Sequence, residues 1–298
     1  MSYSAIATVK RELLVRYLEA WAPAALHRAR RVIYAHGYAD ADGGAAVEAA
    51  MRVLAEQSDL VRGRELTMVA TGDDLGAIAP RLAAIQAESG AGAGLAVHTI
   101  SGGTDGRLPV GLKAIGAARV PVLGFLDASS SSVAPATVSA LTAGKPADVL
   151  LVLPPGASSD SFRTGWPLFS QVELAVSDEP GELLVFGTTA GKSLEGFKEA
   201  LWSVDEFAGV RYRDPGDPDR HLIDISLTPH PGPLRREILA FLHRVGSASV
   251  TELRTFALTE TVYRAADATR VLHTLIDAGT VTREPSHGRL GGDVVITL

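Results

Sequence analysis

Residues 30–55, RRVIYAHGYADADGGAAVEAAMRVLA, carry three successive signals. Val32 to Ala35 form a short unbroken apolar run, as a strand covered on both faces requires. A loop with Gly37, Gly43 and Gly44 follows, and then Val47, Ala50, Met51 and Leu54 recur at helical spacing. Strand, glycine-bearing turn and helix in this order open a parallel βα unit. The turn is unusual in its charge, because His36, Asp40 and Asp42 stand where small neutral residues are the norm.

The same alternation continues on the C-terminal side. ELTMVAT (65–71) precedes DDLGAIAPRLAAIQAE (73–88), and GLAVHTI (94–100) precedes PVGLKAIGAAR (109–119). VPVLGFLD (120–127) precedes PATVSALTAG (135–144), and ADVLLVLP (147–154) precedes a region containing FRTGWPLF. Strands alternating with helices predict parallel strands joined by crossover helices, an α/β sheet covered on both sides. GELLVFGTT (181–189) and HLIDISLT (221–228) break the alternation and add two further strands. Five βα units followed by two strands fit the mostly parallel, seven-stranded Rossmann-like sheet of class I methyltransferases, whose last antiparallel strand inserts beside the fifth. A flavodoxin-like or other doubly wound sheet shares that first half. On the N-terminal side, Leu13, Leu14, Tyr17, Leu18 and Trp21 predict an opening helix from about Lys10 to Ala20, joined to the first strand by the Arg-rich link HRARR.

Three prolines in LTPHPGP (227–233) mark a boundary, dividing a domain of residues 1–230 from one of 231–298. Beyond it come LRREILAFLHRVG, a helix opened by Ser249 with Glu252 at capping-box spacing, and a third helix closed by Gly279. Two β-rich pieces around a glycine turn complete the pattern of a winged helix-turn-helix.

Composition narrows the chemistry. The chain has 298 residues, 46% hydrophobic and only 6% aromatic, so Ala, Leu and Val fill the interior of one large and one small domain. It has no cysteine, which excludes disulfides, thiolate zinc sites, iron–sulfur clusters and cysteine nucleophiles. MSYSAIATVKRELLVRYLEAW interleaves charge with apolar residues, unlike a signal peptide, and no run reaches membrane-spanning length, so the expected location is the cytoplasm. The net charge of −6 disfavours broad adhesion to nucleic acid without excluding a local basic face. Residues 232–298 hold eight Arg against seven Asp or Glu, a module of +1 on a more acidic body.

Three elements in order, IYAHGYADADGG, GFLDASSSS and LLVFGTTAGKSLEGFKEALWSVD, between an opening amphipathic helix and a C-terminal winged helix, resemble the three-Cys-motif partner (TcmP) family. The likeness spans nearly the whole chain. It implies a class I methyltransferase-type domain, S-adenosylmethionine as cofactor, and a partner protein carrying three cysteines. The departures fall on the family's chemically expressive positions. His36 replaces the strand-end Asp, Asp40 replaces a Gly, and Asp127 is followed by Ala128 and serines instead of Pro-Phe-Gly.

In a doubly wound sheet the first and fourth strand ends meet over one crevice, which would bring Tyr34–Asp42 and Asp127–Ser130 together. As an enzyme, the chain would use Asp127 and His36 for catalysis, Gly37 and Gly43 for close cofactor approach, and Asp73 or Asp74 for the ribose hydroxyls. Asp40 opposes this, since its charge repels the methionine carboxylate of the cofactor. A second reading takes His36, Asp40, Asp42 and Asp127 for metal-assisted phosphoester hydrolysis, although their spacing is no metal motif. Ser129–Ser132 lack the frame of a nucleophile elbow, and YRDPGDPDR suits a solvated turn. Trp166, Trp202 and Phe207 fit a substrate pocket or the core. The main alternative to the methyltransferase is a non-catalytic protein that binds DNA or a protein through its winged helix, with Arg264, Arg270 and the wing residues Arg283 and Arg289, beside Tyr263, His273 and His287, as the DNA contacts. Packing of the module on the sheet domain, or dimerisation, accounts equally well for its weak charge.

Overall fold

The computed structural model describes residues 2–57, 63–89, 94–205, 209–226 and 228–298. Helix α1 (Ser2–Arg28) leads into five parallel strands with intervening helices. These are β1 (Arg31–Gly37), α2 (Ala45–Glu56), β2 (Glu65–Gly72), α3 (Ile78–Glu88), β3 (Leu95–Ser101), α4 (Thr104–Ala114), β4 (Val122–Asp127), α5 (Pro135–Ala140) and β5 (Ala147–Leu153). Then come β6 (Leu168–Ala175), β7 (Glu182–Thr188), α6 (Gly191–Ser203), β8 (Arg211–Arg213) and β9 (Leu222–Asp224). All nine strands form one sheet in the order 3-2-1-4-5-7-6-8-9.

The expected antiparallel strand is present: β7 inserts beside β5 with Leu151 opposite Val185. The strand count differs from seven for two reasons. LFSQVELA forms β6, a strand hidden in the sequence by Ser170, Gln171 and Glu173, of which Ser170 and Glu173 are buried. Glu173 tolerates that burial because Arg213 from β8, itself 1% exposed, pairs with it at 2.5 Å. The second is β8, three residues of the charged turn region that pair with β6, while HLIDISLT supplies the expected last strand only as the short edge strand β9.

Two apolar layers sandwich the sheet. Leu108 and Leu112 of α4 and Val138 of α5 pack on one face. On the other, Leu13, Leu14, Leu18 and Trp21 of α1 share a continuous cluster with α2, α3 and α6.

That cluster extends without a break into the C-terminal residues. These form α7 (Gly232–Val245), β10 (Ser247–Ser249), α8 (Val250–Glu260), α9 (Ala265–Asp277), β11 (Thr282–Glu284) and β12 (Val295–Thr297), the strands pairing antiparallel in the order β10-β12-β11. The expected capping box opens α8, with Glu252 Oε2 accepting from the Ser249 N–H at 2.7 Å and Ser249 Oγ accepting from the Glu252 N–H at 3.2 Å. The turn between α8 and α9 is seated on α6. Trp202 Nε1 donates to the Val262 carbonyl at 2.9 Å, Lys198 Nζ donates to the Thr261 carbonyl, and the Trp202 ring stacks on Tyr263. Among the described residues no helix is long and apolar enough to cross a membrane.

Candidate functional site

The carboxyl ends of β1 and β4 lie side by side as the topology requires, with His36 opposite Phe125 and Gly37 opposite Leu126. What those ends present is set by the alternation of side chains along each strand. Tyr34 and His36 point toward the α1 layer, so the imidazole is drawn into the core and is 1% exposed. Its Nδ1 lies 2.7 Å from the Tyr34 hydroxyl, and the ring sits 5.0 Å from that of Phe125. Burial lowers its pKa to about 3 in spite of Asp127, which leaves a neutral, weakly basic group. His36 is a packed and hydrogen-bonded core residue, placed below the crevice.

Asp127, buried, faces the same layer and meets a cation that the sequence reading overlooked. Lys10 of α1 places its Nζ 2.8 Å from Asp127 and 2.7 Å from Glu182 at the start of β7, and donates to Ser129 Oγ at 3.2 Å. Burial pulls the ammonium down, but the two carboxylates outweigh it and raise its pKa; burial raises that of Glu182 against the pull of Lys10. The Ser129 N–H completes the set by donating to Asp127 at 3.2 Å. A signal for this cluster was in the sequence: Lys10 stands three, four and seven residues before Leu13, Leu14 and Tyr17, in the middle of the apolar stripe of α1.

The loop after β1 is likewise satisfied from within. Asp40 Oδ2 accepts from the N–H groups of both Asp73 and Asp74, each at 3.0 Å, and its carboxylate lies directly over Gly72, where a Cβ would collide with it. Asp42 accepts from Gly44 and Ala46, at 3.1 and 2.8 Å, and so covers the positive end of α2. Asp74 closes a turn on the Gly76 N–H, and Asp73 lies exposed beside Gly103. Gly43 and Gly44 adopt φ of 72° and 94°, the left-handed values for which glycine is suited, and Arg81 from α3 donates to the Gly43 carbonyl at 2.6 Å. Gly37 makes room for protein rather than for a ligand: a Cβ there would stand 2.5 Å from Leu126 and 2.7 Å from Thr104. Tyr38 bridges the first and fourth loops, its hydroxyl reaching Asp105 at 3.3 Å and the Ser132 carbonyl at 3.1 Å.

His36, Asp40, Asp42 and Asp127 are therefore each engaged by a different set of partners, and they form no three-ligand grouping. Among the described residues the three-ligand grouping of metal-binding types is Asp217, Asp219 and His221, in the half-exposed Pro/Gly turn. There Asp217 already accepts from the backbone of Asp219 and from both the backbone and the ring of His221. Trp202 and Trp166 are core residues, 0% and 5% exposed, and Phe207 lies outside the described residues.

In the C-terminal module, Arg264 has a side chain only 12% exposed, paired with Asp267 at 2.9 Å and with Glu199 of α6 at 3.2 Å. Arg283 folds back on the carbonyls of Pro285, His287, Gly288 and Arg289. Arg270, 3.2 Å from Asp267, and Arg289 are exposed. Tyr263 is buried, its hydroxyl donating to the His230 carbonyl at 3.2 Å.

No protein-family model matches the chain, and no curated protein matches it. Among solved structures it is similar to a spermidine synthase determined in complex with the transition-state analogue AdoDATO, at 10% identity and a TM-score of 0.37. The match covers 64% of this chain and 65% of that one, somewhat under two thirds of its length.

Proposed function

We propose that the chain is a TcmP-like protein in which a methyltransferase-type sheet domain serves as a scaffold, and that it acts by binding, without S-adenosylmethionine chemistry. The single observation that carries this reading is Asp40. Its carboxylate takes the two N–H groups at the end of β2, next to where an acidic side chain receives ribose hydroxyls in dinucleotide and methyl-donor sites. Asp42 holds the start of α2 in the same way, and Lys10 neutralises the β4 end. A cofactor carboxylate brought to about 4 Å from the Asp40 carboxylate would meet a repulsion of about 4 kcal/mol at an effective dielectric of 20. That corresponds to roughly a thousandfold in affinity. The residues present do not fit the cofactor.

Isothermal titration calorimetry with S-adenosylmethionine and S-adenosylhomocysteine tests the reading. The expected result is no saturable heat at millimolar ligand; stoichiometric, saturable binding of either compound would overturn it.

A second reading is supported by the C-terminal module, whose helices and β10-β12-β11 sheet are read as a winged helix-turn-helix. Its natural reading end, the N-terminus of α9, is turned toward Glu199 of α6, so Arg264 favours docking of the module over DNA contact. Of the four arginines singled out for DNA contact, Arg270 and Arg289 are the exposed ones. Under this reading Arg270→Ala and Arg289→Ala weaken DNA binding in an anisotropy titration, and unchanged binding removes that face. A three-cysteine partner stays part of the proposal, and co-purification with its encoded neighbour is the measurement for it.

A further inference from the structure

The end of the sheet opposite the crevice gathers charge of the other sign. Strands β1, β4, β5 and β7 are consecutive neighbours in the sheet. Their register sets Ile33 opposite Val122, Val122 opposite Ala147, and Asp148 opposite Thr188. Arg30 and Arg119 each precede the paired Ile33 and Val122 by three residues, Lys145 precedes Ala147 by two, and Lys192 opens α6 just beyond Thr188. Four adjacent strands thus deliver a cation apiece to one end of the sheet. Arg28, closing α1, joins Lys192, Pro121 and Pro146 around a shared hollow.

Backbone bonds fix the middle of this row. Arg119 N–H donates to the Ala143 carbonyl and Lys145 N–H to the Val120 carbonyl, both at 2.9 Å, which ties the loops before β4 and β5 together. Arg119 is held there at φ 64°, a conformation uncommon outside glycine. All five cations are exposed, and none has an ion-pair partner among the described residues. Among the described residues, the acids at this end include Glu56 and Glu88 at the C-termini of α2 and α3, Glu65, 3.8 Å from Arg31, and Glu195, which flanks Lys192 in the cleft toward α9. The opposite end carries Asp40, Asp42, Asp73, Asp74 and Asp105 together with Arg81 and Arg107, so the row of cations stands on a chain whose net charge is −6.

We propose that this row binds the phosphate backbone of double-stranded DNA without regard to sequence. Four neighbouring strands about 4.8 Å apart give a row roughly 14 Å long. One strand of a duplex carries a charge about every 3.4 Å of axis, so about four phosphates face the row. Single-stranded nucleic acid is the poorer fit, because it is held by exposed aromatic rings, and the nearby Tyr17 and Trp21 are buried at 2% and 7% exposure. The surface is separate from the crevice and from Arg270 and Arg289, and it stands whether or not a cofactor binds.

The test is fluorescence anisotropy of the full chain with a labelled duplex of arbitrary sequence and about 20 base pairs, titrated at two salt concentrations. Four phosphate contacts give a slope of log affinity on log salt near −3.6, so binding weakens roughly 150-fold between about 50 and about 200 mM salt. Arg119→Glu with Lys145→Glu should weaken low-salt binding at least about tenfold and flatten the slope by about 1.8, while Arg270→Glu with Arg289→Glu leaves both intact. Arg119→Gln with Lys145→Gln, checked by circular dichroism, gives the same direction if the reversal fails to fold. The proposal is overturned by a wild-type chain that does not bind duplex at low salt, by indifference to both row variants, or by loss confined to the Arg270 and Arg289 variant. Retention of poly-glutamate in place of duplex would also overturn it and reassign the face to an acidic protein.

Discussion

Replacing Lys10 by Met keeps the length and apolar stem of the side chain and removes only the ammonium. In the wild type that ammonium sits 2.8 Å from Asp127 and 2.7 Å from Glu182, with the three side chains 7%, 8% and 3% exposed. Removing one partner from a buried ion pair leaves an uncompensated charge and costs about 3–5 kcal/mol. At about 2–4 °C per kcal/mol for a large domain, Tm should fall by roughly 6–20 °C. The loss has a pH signature. Without Lys10, the folded-state pKa of Glu182 rises further above its unfolded value, so the folded variant holds an extra proton between the two. Its stability is then fully present below the unfolded pKa of about 4.3 and is lost as pH rises through the folded one. Thermal melts followed by circular dichroism should show a deficit small near pH 4 and largest at neutral pH. Lys10→Met combined with Asp127→Asn and Glu182→Gln should recover much of the loss. A Lys10→Met protein within about 0.5 kcal/mol of wild type at pH 7 would show that the cluster is not the buried, mutually dependent unit inferred here.

Glu237, on α7 under the sheet domain, has a buried Oε2 without a partner, and burial, reinforced by Asp214 and Asp217, pushes its carboxyl up to about 7. The wild type should therefore lose stability as pH rises from 4.5 through about 7, and Glu237→Gln should gain about 1–3 kcal/mol at pH 8 but little at pH 4.5, as read from Tm across that range. An advantage that does not grow with pH would count against the cause assigned. Gly37→Ala places a methyl 2.5 Å from Leu126 and 2.7 Å from Thr104. It should cost about 1–3 kcal/mol in urea unfolding, whereas a glycine kept open for a ligand would accept alanine at little cost.

The parallel half of the sheet was legible because buried strands and amphipathic helices announce themselves by period, from Val32–Ala35 through Val149–Leu153. The strand β6 was not, since its buried Ser170 and Glu173 read as surface residues and the groups that make the burial of Glu173 tolerable, chiefly Arg213 forty residues away and the Gly181 N–H, are brought to it only by the fold. The adjacency of the β1 and β4 ends followed from topology, but the roles of the residues there were set by direction. Periodicity identifies which end of a strand is near a ligand site; it does not say that His36 turns inward to Tyr34 or that Asp40 folds back onto the next strand. Lys10 went unread for the opposite reason: one cation in an apolar stripe looks like noise until its two carboxylates, on elements far along the chain, are brought to it.

The contact of Trp202 and Lys198 with the carbonyls of Val262 and Thr261 has a bearing on how the chain can behave as a machine. Prolines such as those near residue 230 are the usual mark of a tether between a body and a swinging module. Instead, the bend between α8 and α9 is bolted to the larger half through an indole with no exposed surface, and detaching it would bare that indole and break both hydrogen bonds. The boundary is thus one of connectivity and not of mobility: any partner meets both halves in fixed register, and a fragment ending before Pro231 would expose its own stickiest surface to water.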